Sequence, residues 1–156
     1  MNFIFDLDHT VIDSSHRQLT RSDGSLDLDA WRDNCTAEMI GRDSLLPLAR
    51  VMRLAYAKGH TVIICTARVL SRHDLTYLAD NDLRYHVLLS RADGDNTGDA
   101  ILKRRALLSH FRGQPIARWA RHSVFFDDNQ GVLKMAKSLG ITTRDAVQLN
   151  QRMGAL

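Results

Sequence analysis

The stretch His60-Thr-Val-Ile-Ile-Cys-Thr66 carries four consecutive apolar residues at its centre. A strand with one wet face alternates apolar and polar side chains, so an unbroken run describes a strand covered on both faces, as in a parallel sheet clothed by helices. Similar short runs open the chain at Asn2-Phe-Ile-Phe and recur at 84–89 and 122–126. Helical patterns separate them. Ser44 is placed to cap a helix over 44–58, with Pro47 in its first turn and Gly59 at its end; further helices are expected over 71–81, 98–111 and 129–139. Strands alternating with helices predict an α/β, Rossmann-like parallel sheet with right-handed crossovers. A chain of 156 residues makes one such domain.

One segment breaks the alternation. Residues 13–43 are polar, contain the turn Asp23-Gly24-Ser25, and offer one helical stretch over 28–40 in which Trp31, Cys35 and Met39 form an apolar stripe. This reads as a small helical cap inserted over the sheet edge. The segment from about Thr142 reads as a short strand and a loose end.

Composition excludes more than it assigns. With 44% apolar and 25% charged residues the chain is an ordinary globular protein. No run approaches the roughly 18 apolar residues of a membrane span, and no basic leader precedes an apolar core, so a cytoplasmic protein is expected. Cys35 and Cys65 stand apart, outside any CxxC pattern, and read as reduced structural thiols. The net charge of +3 is too small to indicate nucleic acid, yet no acid occurs between Asp99 and Asp127, where Lys103, Arg104, Arg105, Arg112, Arg118 and Arg121 surround Trp119. Such a stretch is either a solvated helix face or a surface that follows a phosphate backbone and stacks a base.

The chemistry-bearing residues sit where strands give way to loops or on the helices that follow. Asp6 and Asp8 follow the first strand, with Thr10 two residues on; Thr66-Ala67-Arg68 ends the second; Lys103 lies on the third crossover helix; Asp127-Asp128 ends the fourth. In a parallel sheet the carboxyl ends of the strands lie on one edge, where ligands bind, so these groups converge. Acids this close repel in a dry site, and a divalent metal or a phosphate held by Lys and Arg would relieve them.

This arrangement resembles the haloacid dehalogenase (HAD) superfamily of phosphohydrolases, whose motifs are an Asp-x-Asp-x-Thr loop, a Ser or Thr after the next strand, a Lys or Arg, and an acidic pair. The resemblance covers nearly the whole chain. It implies that Asp6 is the nucleophile and forms an aspartyl-phosphate, and that Asp8 is the acid–base group. It implies Mg²⁺ held by Asp6, Asp8 through its main-chain carbonyl, and Asp127 with Asp128. Thr66 and Lys103 would hold phosphate oxygens, with Thr10 as a further hydroxyl. His9 takes the variable position of the motif.

Finer matches look like the 3′-phosphatase domain of bacteriophage polynucleotide kinase-phosphatases. Arg17 lies eleven residues after Asp6, Arg68 two after Thr66, and Asp99 four before Lys103. By that resemblance Arg17 and Arg68 grip phosphate and Asp99 orients Lys103. No GxxxxGK[ST] loop occurs, so no kinase half is implied. The expected substrate is a polynucleotide 3′-phosphate end or a nucleotide. The alternatives are a small metabolite or 5′-nucleotide cleaved by the same chemistry, and a non-catalytic module that only binds a phosphate ligand.

Overall fold

A computed structural model, describing residues 1–154, places a parallel five-stranded sheet at the centre of the molecule. The elements in chain order are β1 (Asn2–Phe5), β2 (Ile12–Asp13), α1 (Leu28–Asp33), α2 (Ala37–Gly41), β3 (Ser44–Leu45), α3 (Leu48–Ala57), β4 (Thr61–Cys65), α4 (Arg72–Asp80), β5 (Val87–Leu89), α5 (Asp99–His110), α6 (Ile116–Ala120), β6 (Ser123–Asp127), α7 (Gln130–Ser138), β7 (Thr142–Asp145) and α8 (Ala146–Gly154). The sheet order is β5-β4-β1-β6-β7. The chain builds outward from β1 through β4 to β5, then returns to add β6 and β7 on the other side. The strand carrying Asp6 is thus the central one, flanked by the strands that lead to Thr66 and Asp127.

The α/β prediction holds, and alternation along each strand explains why both faces are dry. Val62 and Ile64 face one core with Phe5, Met52, Leu78 and Ala146, whereas Ile63 and Cys65 face the other with Ile4, Leu107, Phe125 and Val132. Helices α3, α4 and α8 cover the first face; α5, α6 and α7 cover the second. Burying these side chains contributes about 1.5–3 kcal/mol for each large one. No helix among the described residues is long and apolar enough to cross a membrane.

Three expectations are corrected, and one of the two readings of the basic stretch falls away. The single helix over 28–40 is two helices, because the Thr36 hydroxyl accepts the Met39 amide at 3.3 Å and starts α2 anew. Ser44 does not cap a helix: Ser44–Leu45 pairs with Ile12–Asp13 as a two-stranded ribbon, and α3 begins only after Pro47. Trp119 is buried against Phe111, their rings 4.4 Å apart, so it stacks in the core and is closed to a base. The segment after Thr142 is β7 followed by the packed helix α8, which buries Ala146 and Asn150.

Candidate active site

The loop after β1 is a tight knot. Asp6 N still bonds Phe126 O as the last rung of the sheet, and the Leu7 carbonyl then collects the amides of Thr10, Val11 and Ile12. His9 takes a left-handed backbone, φ 57°, to close that turn. Leu7, Val11 and Ile12 are buried pegs that hold the knot in the core. From the opposite side Asn150 of α8 donates to Thr10 O (2.9 Å) while its side-chain oxygen accepts the first amide of α3, Leu48 N (2.8 Å). The C-terminal helix thus clamps the loop, a role that a lone polar residue in an amphipathic helix does not announce.

Asp6 emerges beside Lys103 and the β6 acids. Lys103 Nζ donates to Asp127 Oδ2 at 2.7 Å and lies 2.9 Å from Asp6 Oδ1, with all three groups buried. Carboxylate oxygens of Asp6, Asp127 and Asp128 fall within 4.8 Å of one another. Burial pushes the Asp6 pKa up to about 7; Lys103 pulls it down and the charges of Asp127 and Asp8 push it back. Asp127 and Asp128 are raised too, chiefly by burial. Lys103 is raised, the attraction of Asp6 and Asp127 outweighing the burial that opposes it. Three acids around one ammonium leave a deficit of positive charge. An all-oxygen set of hard carboxylates at this spacing fits a divalent cation such as Mg²⁺.

Asp8 has different neighbours. Arg68 forks onto it, Nε to Oδ2 at 3.0 Å and Nη2 to Oδ1, and Ser14 Oγ donates to Oδ1 as well. Burial alone would raise its pKa, but these donors hold it below the usual carboxylate range. Asp74, which also closes the capping box of α4 with Ser71, fixes the rear of Arg68 at 2.6 Å. Thr66 is buried and its hydroxyl accepts the Arg68 amide at 3.2 Å, so the hydroxyl shapes the turn that presents Arg68.

Three expected site residues do not point at the edge acids. Arg17 has no solvent exposure; it forks onto Asp43, at 2.9 Å for both bonds, beneath the Trp31 ring at 4.3 Å. His16 and the Tyr77 hydroxyl also bind Asp43, at 2.8 and 2.9 Å. Arg17 is therefore a joint tying the Ser15–Arg17 turn to Asp43 and to Trp31 of α1, because a buried guanidinium must be paired and Asp43 is the acid that reaches it. Asp99 pairs with Arg91 at 2.9 Å rather than orienting Lys103, which Asp6 and Asp127 position instead. Thr10 is wholly buried, its hydroxyl without a hydrogen-bond partner among the described residues. Sequence reasoning passed over Asp43, Asp74, Ser14 and Asn150. Only Asp74 carried a local signal, three residues after the helix-capping Ser71.

Comparison with known proteins decides the lineage: the family model described as Bacteriophage T5 5′-deoxynucleotidase matches residues 1–155. The chain belongs to that deoxynucleotidase family. A 5′-deoxynucleotidase of Escherichia phage T5 is 31% identical over 172 residues, covering 94% of this chain and 67% of the relative. Among solved structures, a chain of the Pnkp1/Rnl/Hen1 RNA repair complex superimposes with a TM-score of 0.65 at 24% identity; the match covers 92% of this chain and 41% of that one, less than half its length. A HAD family enzyme from Bacteroides thetaiotaomicron, in complex with magnesium and inorganic phosphate, matches with a TM-score of 0.52 at 12% identity over 92% of each chain. This member of the deoxynucleotidase family is a phosphatase, and its fold is the one seen in HAD hydrolases.

Proposed function

We propose that this deoxynucleotidase-family chain is a Mg²⁺-dependent phosphatase that removes the 5′-phosphate of deoxynucleoside monophosphates through an aspartyl-phosphate on Asp6. The observation that carries the reading is the difference between its two adjacent acids. Asp6 faces Lys103 and the metal-type cluster with Asp127 and Asp128, whereas Asp8 faces Arg68 and Ser14. A nucleophile needs its surroundings to neutralise an incoming dianion; an acid–base group needs a partner that can leave it. Of the substrates expected, a polynucleotide 3′ end or a nucleotide first and a 5′-nucleotide as an alternative, family membership supports the 5′-mononucleotide.

An Asp6 carboxylate oxygen attacks phosphorus, the ester P–O bond breaks, and the departing nucleoside oxygen takes a proton from Asp8. Asp8 then removes a proton from water, which attacks phosphorus; the P–O bond to Asp6 breaks and inorganic phosphate leaves with Asp6 restored. Lys103 stays on Asp6 and Asp127 and balances charge throughout. Asp6, Asp127 and Asp128, with the main-chain carbonyl of Asp8, would hold Mg²⁺, which would supply the remaining positive charge. Arg68 serves two anions: phosphate entering the site competes for its guanidinium, and release from that fork raises the proton affinity of Asp8. Thr66 forms the turn that aims Arg68.

A substrate panel with Mg²⁺ tests the assignment: 5′-deoxynucleotides, 5′-ribonucleotides, 3′-mononucleotides and 3′-phosphorylated oligonucleotides. Cleavage of the 5′-deoxynucleotides, abolished in Asp6→Asn and Asp8→Asn, is expected. Preferential release of phosphate from the 3′-phosphorylated oligonucleotide would overturn the substrate and leave the chemistry intact. Full activity in either mutant would overturn the chemistry.

A further inference from the structure

Ser14 is completely buried and sits at the N-cap of the short 3₁₀ turn Ser15–Arg17, yet its hydroxyl makes no capping bond. It points to Asp8 Oδ1 instead. Behind it a chain of polar groups continues: Gln18 Nε2 donates to Ser14 Oγ at 3.0 Å, and Gln18 Oε1 lies 2.8 Å from His9 Nε2. The directions are fixed by valence. The Gln18 amide nitrogen can only donate, so Ser14 accepts there and its single proton is left for Asp8; the Gln18 oxygen can only accept, so His9 Nε2 donates to it. His9 is a non-glycine residue in the left-handed region, a conformation that costs about 1 kcal/mol or more, and its ring anchors the far end of this chain.

We propose that Ser14, oriented by Gln18 and His9, is a positioning residue that pins Oδ1 of Asp8 and so makes Oδ2 the oxygen that exchanges the proton with the leaving group and then with water. The inference rests on the assignment of Asp8 as the acid–base group. A carboxylate turns easily about its last torsion, and Arg68 holds both oxygens only while it is not drawn to phosphate. Once the guanidinium turns to substrate, the Ser14 bond is what keeps the carboxylate plane facing the ester oxygen. Misorientation of a catalytic group by a fraction of an ångström is enough to slow a proton transfer.

Leaving-group dependence separates this role from a structural one. A nucleoside alkoxide must be protonated as it departs, whereas p-nitrophenolate leaves without a proton. In the full chain with Mg²⁺, Ser14→Ala is expected to lower the ratio of kcat/KM on a 5′-deoxynucleotide to kcat/KM on p-nitrophenyl phosphate, both of which report steps only through departure of the leaving group, by roughly tenfold, a fraction of the 10²–10⁴ that acid–base catalysis supplies. KM for the nucleotide should stay within about twofold, and Ser14→Thr, which keeps the hydroxyl, should restore most of the ratio. Gln18→Leu, at a half-buried position less exposed to folding defects, should shift the ratio in the same direction by less. An unchanged ratio in Ser14→Ala and Gln18→Leu, whether both rates fall together or neither falls, overturns the positioning role. An unchanged ratio in Asp8→Asn overturns the acid–base assignment itself, so the two failures are distinguishable.

Discussion

The sheet edge and the Arg17–Asp43 joint each gather buried acids and bases, and they end in opposite states. At the edge, Asp6, Asp127 and Asp128 share one ammonium, Lys103, and burial lifts the pKa of all three acids. At the joint, Asp43 is forked by Arg17, bonded by His16, and lies 3.9 Å from Arg68. One cluster lacks positive charge until a cation binds; the other is complete without one. A deficit that persists in a folded chain costs stability and is retained where chemistry needs it, whereas a closed ion pair is architecture. Arg68 lies between the two, bonded to Asp8 next to the edge acids and 3.9 Å from Asp43 at the joint.

The largest expected effect comes from the incomplete cluster. Asp6→Asn should lower turnover of a 5′-deoxynucleotide by about 10⁴-fold or more, since the nucleophile is gone. The same change removes a negative charge from a crowded buried site, so the metal-free melting temperature at pH 8 should hold or rise. Activity lost together with a falling melting temperature would erase the contrast between the clusters. At the joint the expectation reverses. Arg17→Ala leaves the Asp43 carboxylate buried and short of a partner, and denaturant titration should show a loss of about 3–5 kcal/mol. If that variant melts like the wild type but binds substrate poorly, Arg17 is a phosphate ligand after all.

Protons and metal offer a gentler lever. Asp6, Asp127 and Asp128 all have folded pKa values above the unfolded value of 3.8, so the folded state binds their protons more tightly. Their contribution favours folding at low pH and is withdrawn as pH rises from about 4 through the Asp6 value of about 7. Asp8 is lowered, so its contribution is already complete across that window and is lost only in stronger acid. Mg²⁺ bound at these acids would displace their protons. Its stabilisation, about 2.7 kcal/mol at a hundredfold excess over Kd, should be larger at pH 8 than at pH 5.5 by calorimetry. Equal shifts at both pH values would mean that the metal does not bind these acids.

Much of this was legible from the chain because the relevant signals are local. An apolar run ending in Asp-x-Asp, another ending in Thr66, and a third ending in Asp127-Asp128 place their acids on one edge once the strands are parallel. The Arg17–Asp43 pair spans 26 residues and the Asn150–Thr10 bond spans 140, and nothing in either neighbourhood marks the partner. Arg17 was noticed by its spacing from Asp6, but spacing does not tell whether a guanidinium faces solvent or an acid. Asn150 was missed because α8 itself read as a loose end. Its removal tests that reading: Asn150→Ala orphans the buried Leu48 amide and frees the Thr10 carbonyl, and should cost about 1–3 kcal/mol in denaturant titration.

The smallest effect is expected where the sequence drew most attention to charge. Helix α5 leaves the active edge and runs back along the sheet, so Arg112, Arg118 and Arg121 fall just before β6 begins, at the edge opposite Asp6. All three are exposed, and the aromatic residue among them, Trp119, is sealed in the core. A mononucleotide bound at the acids spans too little distance to touch them. Replacing the three arginines by serine should therefore change kcat/KM for a 5′-deoxynucleotide by less than about twofold at moderate ionic strength, where charges beyond roughly 10 Å are screened. A large loss confined to phosphorylated oligonucleotides would show instead that a polynucleotide wraps the sheet from one edge to the other, and would make this basic edge part of the substrate site.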